Sequence, residues 1–215
     1  MQKRLVVTVS AVLDELAQKL ESACPDKMSM VGDEKNVRFF LGNLGKRPLI
    51  VFGVNPSTAS EEEDDPTIRK VKRLAKLKRL EGYDGWIMLN LYPQRTPDPE
   101  FLDTDPDKPK KGLDTYNPAY QETNEAVVEE VLRRFPDGLL IAAWGNNVDK
   151  RHYLKACCQH ILSCTKRQWY IIDTPTKPRN PRHPLYAASP TLSPISFDND
   201  GKVIWQERGT DPENE

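Results

Sequence analysis

Four stretches of the chain are near-continuous apolar runs bounded by glycine, proline or charge: RPLIVFGVNP (47–56), GWIMLNLYP (85–93), DGLLIAAWGN (137–146) and RQWYIID (167–173). Runs of this kind read as strands buried on both faces of a parallel sheet. The segments between them carry helical periodicity. PTIRKVKRLAKLKRL (66–80) puts Ile68, Val71, Leu74 and Ala75 on one face, with Asp65 as N-cap and Pro66 as the first helical residue. AYQETNEAVVEEVLRRF (119–135) is amphipathic, and VDKRHYLKACCQHILS (148–163) also reads as helix. Strand and helix therefore alternate, which predicts an α/β fold: three layers, α/β/α, around a central, mainly parallel four-stranded sheet with right-handed crossovers.

Outside this alternation, NVRFFLGN (36–43) has strand character, and ISFDNDGKVIW (195–205) carries the Asp-Gly signal of a hairpin. The proline-rich stretch from Thr96 to Pro118 reads as a long loop, a length usually reserved for functional or mobile segments. A second loop, TPTKPRNPRHPLYAASP, follows the last apolar run. The expected organisation is one domain over 1–215, with a variable N-terminal segment to 36, a core over 37–197, and a C-terminal hairpin and tail over 198–215.

Composition narrows the partners. With 31 Lys+Arg against 32 Asp+Glu the net charge is −1, so nucleic-acid binding would have to come from local patches and not from a generic polycation. No apolar run reaches the roughly 18 residues of a membrane span. The N-terminus MQKRLVVTVSAVLDEL acquires acidic residues at once and shows no clean cleavage site, so the expected location is cytoplasmic, with no membrane partner. Cys24, Cys157, Cys158 and Cys164 form no CxxC and read as reduced structural thiols. Three scattered histidines without ligand spacing give no reason to expect a metal, and no cofactor or oligomer is expected.

Ligands of open α/β sheets bind beyond the carboxyl ends of the strands. Asn55, Asn90, Gly145 and the loop of His183 each follow a different predicted strand, so one pocket could collect them. The motifs there are GVNPS (53–57), IMLN (87–90), AAWGNNVDKR (142–151) and HPLYAASP (183–190). In this order they resemble the motifs of the uracil-DNA glycosylase superfamily, over about residues 47–194. The chain also resembles, over most of its length, a bacterial and phage domain family that carries NPSTA, DDPTIR and HPLY, for which no function follows.

The glycosylase resemblance implies hydrolysis of an N-glycosidic bond in DNA, duplex or single-stranded, leaving an abasic site. Such a reaction passes through an oxocarbenium-like sugar while negative charge gathers on the departing base. By resemblance Asn55 holds the attacking water, His183 donates to the developing oxyanion and Asn90 reads the edge of the flipped base. Phe52, Tyr92 and Trp144 compete to stack on that base, Lys177, Arg179 and Arg182 are the expected phosphate contacts, and Leu185 or Tyr186 would fill the gap in the DNA stack. No lysine stands at a motif position suited to Schiff-base chemistry, so the enzyme would be monofunctional.

The sequence departs from the uracil-specific pattern twice. Asn55 stands where that pattern has Asp, and an amide cannot act as a general base. Asn there resembles the mismatch-specific branch, which lacks the His-Pro motif kept here. Ser57 stands where the pattern has a Tyr that excludes C5 substituents, so the expected base is a 5-modified pyrimidine, including hypermodified phage bases, in repair or phage defence. Excision of uracil or mismatched thymine, a nucleoside- or nucleotide-processing enzyme, and a non-catalytic nucleic-acid binder remain open.

Plainer roles exist for several of these residues. Asn55 before proline is also a turn residue, Asn90 a strand-end residue, and His183 loop surface. His152 and His160 read as structural or exposed. The basic face of Arg69, Lys70, Lys72, Arg73, Lys76, Lys78 and Arg79 reads as solvated, or as a second phosphate contact. Asp64 and Asp65 read as an acidic loop residue and a helix cap.

Overall fold

The computed structural model describes residues 8–22 and 27–205, so Cys24 lies outside the described residues. In chain order the elements are α1 (Val9–Glu21), β1 (Met28–Gly32), β2 (Arg38–Asn43), β3 (Pro48–Gly53), α2 (Pro66–Lys78), β4 (Gly85–Asn90), α3 (Pro118–Arg134), β5 (Leu139–Ala142), α4 (His152–Ser163), β6 (Trp169–Ile172), β7 (Leu192–Phe197) and β8 (Val203–Ile204), with short 3-10 turns between some of them. The strands form one sheet in the order β1-β2-β4-β3-β5-β6-β7-β8.

The four apolar runs are the centre of this sheet. β4, β3, β5 and β6 pair in parallel, and every residue of β3 and β4 is buried. The sheet is nevertheless mixed and eight-stranded, which corrects the expectation of four strands. β2 and β1 extend one side antiparallel, and β7 and β8 extend the other. β1 was not predicted because its sequence, MSMVG, is only half-buried and has no sustained apolar run. β7 contains Pro194, which argues against an interior strand. The proline is tolerated because β8 covers only Ser196 and Phe197, leaving Pro194 exposed beyond its reach.

Helices pack on both faces because alternate strand residues point to opposite sides. Leu49, Val51, Trp86 and Met88 meet Ile68, Val71, Leu74 and Ala75 of α2. Ile50, Phe52, Ile87 and Leu89 meet Val12 and Leu16 of α1, Val127 and Val131 of α3, and Leu154 and Ile161 of α4. Each fully buried aliphatic side chain contributes about 1.5–3 kcal/mol. The start of α2 follows its sequence signals: Asp65 Oδ1 accepts from the Ile68 N–H at 2.8 Å, and Pro66 occupies the first turn. The N-terminal segment is thus part of the layered body through α1 and β1, and the Asp-Gly turn closes the β7–β8 hairpin with Gly201 at φ +73°.

Strand order creates the site. From β3 the chain crosses through α2 to β4 on one side, then returns through α3 to β5 on the other side of β3. The segments leaving β3 and β5 diverge, and a crevice opens at the carboxyl ends of the central strands.

Candidate functional site

A cavity of about 560 Å³ occupies this crevice, within the roughly 300–1,000 Å³ of small-molecule sites. Its walls are the post-β3 segment (Gly53, Val54, Asn55, Ser57), the α2 start (Asp65, Thr67, Ile68), and the head of the proline-rich loop (Thr96, Pro97, Pro99). The post-β5 turn (Trp144–Asn147), residues from Thr176 to Tyr186, and single residues of β2 (Arg38) and β4 (Met88) complete them. Three of the four sequence motifs therefore meet in one cavity through several residues each, and the fourth, IMLN, reaches it through Met88 alone.

Asn55 is held in one orientation. Its Nδ2 donates to the carbonyls of Pro56 and Thr96, both at 2.9 Å. Rotating the amide would set Oδ1 against two carbonyl oxygens, so the packing assigns the amide and leaves Oδ1 as the open acceptor. An acceptor fixed in this way suits a water molecule.

His183 is also oriented. Its Nδ1 accepts from the Leu185 N–H at 3.3 Å, which puts the proton of the neutral ring on Nε2. Burial lowers its pKa, against the opposing pull of Asp65, and the ring is a neutral donor at pH 7. Its backbone is locked to the β5 turn. Gly145 N–H donates to Pro181 O at 3.0 Å, and a Cβ on Gly145 would meet His183 Cβ at 3.2 Å. Gly145 also sits at φ +66°, where a side chain is strained. The Trp-Gly and His-Pro motifs are thus two halves of one joint.

The His183 loop is also held by residues that carry no individual role in the sequence reading. Asn180 is 1% exposed. Its Nδ2 donates to Asn146 Oδ1 and Asp149 Oδ2, and its Oδ1 accepts from Lys202 Nζ. Lys202 also donates to both oxygens of Asp149 at 2.8 Å. Burial pushes the Asp149 carboxyl upward, but Lys202 and Asn180 outweigh it and its pKa is lowered. The hairpin lysine, the β5 turn and the His183 loop are tied in this way, by contacts with no local signature.

Other expected residues divide between cavity and core. Ser57, Trp144, Lys177, Arg182, Leu185 and Tyr186 line the cavity. Phe52 and Tyr92 do not: both belong to the apolar cluster under α1, α3 and α4. Phe52 packs on Trp169, and Tyr92 OH donates to Asp103 at 2.7 Å. Trp144 is a cavity wall, but it is 1% exposed and stacks on Phe197 with centroids 5.6 Å apart. Asn90 is 1% exposed and does not line the cavity. It sits beside Gly53, where a Cβ would come within 3.0 Å of its Oδ1, and neither of its amide atoms has a hydrogen-bond partner among the described residues.

The expected phosphate contacts are unequal. Arg182 spends its guanidinium on Thr174 O, Thr174 Oγ1 and Pro175 O. Arg179, at φ +60°, pairs with Asp198 at 3.4 Å and lies off the cavity. Lys177 is exposed at the cavity rim. Leu185 and Tyr186 are 37% and 75% exposed, large apolar groups at the mouth. Asp64 pairs with Lys72 at 2.7 Å, away from the lining, while the Asp65 cap is itself a lining residue. Arg38, on β2, is a further lining residue that the sequence did not flag.

Candidate cation ligands lie elsewhere. Glu129, His160 and Cys164 form one group and Asp105, Asp107 and His152 another, with ligand atoms within 4.8 Å of each other in each. Helix periodicity and tertiary packing create these groups, which is why no spacing in the sequence marked them. Neither contributes to the cavity. Cys157 and Cys158 are buried on α4, and burial raises their thiol pKa values. Among the described residues no helix is long and apolar enough to cross a membrane.

A family model described as "Protein of unknown function (DUF1643)" matches residues 38–185. No curated protein and no solved structure matches the chain.

Proposed function

The chain belongs to that family, and from the arrangement of its cavity we propose that it is a monofunctional DNA glycosylase acting on a flipped-out, 5-modified pyrimidine. The observation that carries this reading is the pairing, in one cavity, of a fixed acceptor with a fixed neutral donor: Asn55 Oδ1 and His183 Nε2–H. Those are the two polar functions that hydrolytic release of a base requires. The resemblance of four motifs to the uracil-DNA glycosylase superfamily, together with a parallel sheet centre between helices, supports the same reading and a fold of that type.

In the proposed reaction the base enters the cavity and the C1′–N bond breaks as negative charge moves onto the base. His183 Nε2–H donates to that charge without itself changing protonation state. Asn55 Oδ1 accepts a hydrogen bond from the water that attacks C1′, and the proton released ends on the departing base or in solvent. Asp65 contributes a nearby negative charge that favours the cationic sugar. Ser57, in place of a bulky ring, leaves space beside the base, while Leu185 and Tyr186 stand at the mouth where the vacated stack would be filled.

The test is incubation with genomic DNAs of differing base modification, followed by alkali and a search for strand breaks at abasic sites. Breaks are expected on DNA with 5-substituted pyrimidines, and His183→Ala should slow their appearance by roughly 10²–10³-fold. No breaks on any DNA would remove the reading. Clear preference for plain uracil would remove its modified-base part.

A further inference from the structure

The cavity contains a buried cation that the proposed chemistry does not use. Arg38 is 2% exposed and lines the cavity. Among the described residues its guanidinium makes one hydrogen bond, from Nη1 to Ala59 O at 2.9 Å; Nε is buried without a partner, and no carboxylate lies within ion-pair distance. The same carbonyl also accepts from Arg95 Nη2 at 3.0 Å, so two guanidinium groups converge on one neutral oxygen. Burial first, and then Arg95, lower the Arg38 pKa to about 10, which leaves it charged at neutral pH.

Removing a charge from water costs several kcal/mol unless it is paired and hydrogen-bonded. Asp65 lines the same cavity and acts on Arg38 only through space, its Oδ1 being committed to the cap of α2. A guanidinium has five N–H donors in a planar fork that matches carboxylate and phosphate oxygens. We propose that Arg38 is the anion-binding group of this cavity, and that its ligand carries a phosphate or carboxylate group at the buried end. This deepens the glycosylase reading by naming what the base or its nucleotide brings. Two sources share the chemistry, the nucleotide's own phosphate and an acidic substituent on pyrimidine C5. The position of Arg38 favours neither: Ala59, which it holds, is two residues from Ser57, and the cavity also reaches Lys177 at the rim.

The experiment is calorimetric titration of the full chain with 2′-deoxyuridine, with its 5′-monophosphate and with 5-carboxy-2′-deoxyuridine. At least one anionic ligand is expected to bind tenfold or more tightly than the neutral nucleoside. Preference for the monophosphate alone assigns the anion to the nucleotide backbone, and preference for the carboxylated nucleoside alone assigns it to C5. Arg38→Met should abolish the preference and Arg38→Lys should keep part of it. Equal binding of all three, no binding of any, or a preference that survives in Arg38→Met would overturn the proposal. If Arg38→Met does not fold, the Arg38 Nε–H resonance of the wild-type chain, assigned by Arg38→Lys, decides the matter. It must shift with the anionic ligand and stay in place with 2′-deoxyuridine. Base release is not read in these measurements, so anion-selective binding without abasic sites would sink the glycosylase reading and leave this one standing.

Discussion

At the scale of single residues, the side chains of the site are defined by what holds them. Asn55 follows a buried strand and precedes a proline, and the sequence places it at a strand end. Only the long-range bond to Thr96 O shows why an amide is needed there. An Asp at this position would lose both donors and point a carboxylate at two carbonyl oxygens. Asn55→Asp is therefore expected to destabilise the chain by about 1–3 kcal/mol and to lower base release, not raise it; urea denaturation and the alkali assay check the two parts. Unchanged stability with faster uracil release would mean that Asn55 substitutes for a general base, contrary to its bonding. Asn90 shows the opposite case. Its position in sequence matched a base-reading residue, but strand register sets it beside Gly53 and outside the cavity lining.

Between elements, the decisive feature is the joint formed by the β5 turn and the His183 loop. Gly145 meets two demands at once, a left-handed φ and a close approach to His183 Cβ. Gly145→Ala would strain the first by about 1 kcal/mol and push His183 from its place. The expected result is a modest fall in melting temperature with a disproportionate loss of base release. Full activity in Gly145→Ala would separate the His-Pro segment from the chemistry. Most elements themselves were legible in the sequence. The buried positions of α2 are Ile68, Val71, Leu74 and Ala75, as its periodicity predicts, and Asp65 caps it. Of the antiparallel flanks, β2 and the β7–β8 hairpin carried strand and turn signals, whereas β1, which lacks an apolar run, and the start of β7, which carries a proline, did not.

Across the whole molecule, a net charge of −1 means that any hold on DNA must come from a local basic patch, and the proposed reading puts that patch at the rim of the cavity. Lys177 is exposed there, whereas Arg182 is committed to the backbone of its own loop and Arg179 to Asp198. Lys177→Ala is expected to weaken binding to a short duplex and to reduce the slope of log affinity against log salt by about 1, measured by fluorescence anisotropy. Arg182→Ala should leave that slope unchanged and lower the melting temperature instead. A slope insensitive to Lys177 would place the DNA elsewhere, the basic face of α2 being the alternative. The sequence by itself determined the α/β alternation, the buried strands, the start of α2 and the strand-end location of Asn55, Gly145 and His183, because apolar runs, helical periodicity and capping residues are local signals. Only the tertiary structure decided that Asn55 and His183 share a cavity while Phe52, Tyr92 and Asn90 do not. It alone revealed that Arg38 lies buried in that cavity and that Asn180, Asp149 and Lys202 tie the β5 turn to the His183 loop. Strand order, register and contacts between distant segments fix these relations, and none of them leaves a periodic trace in the chain.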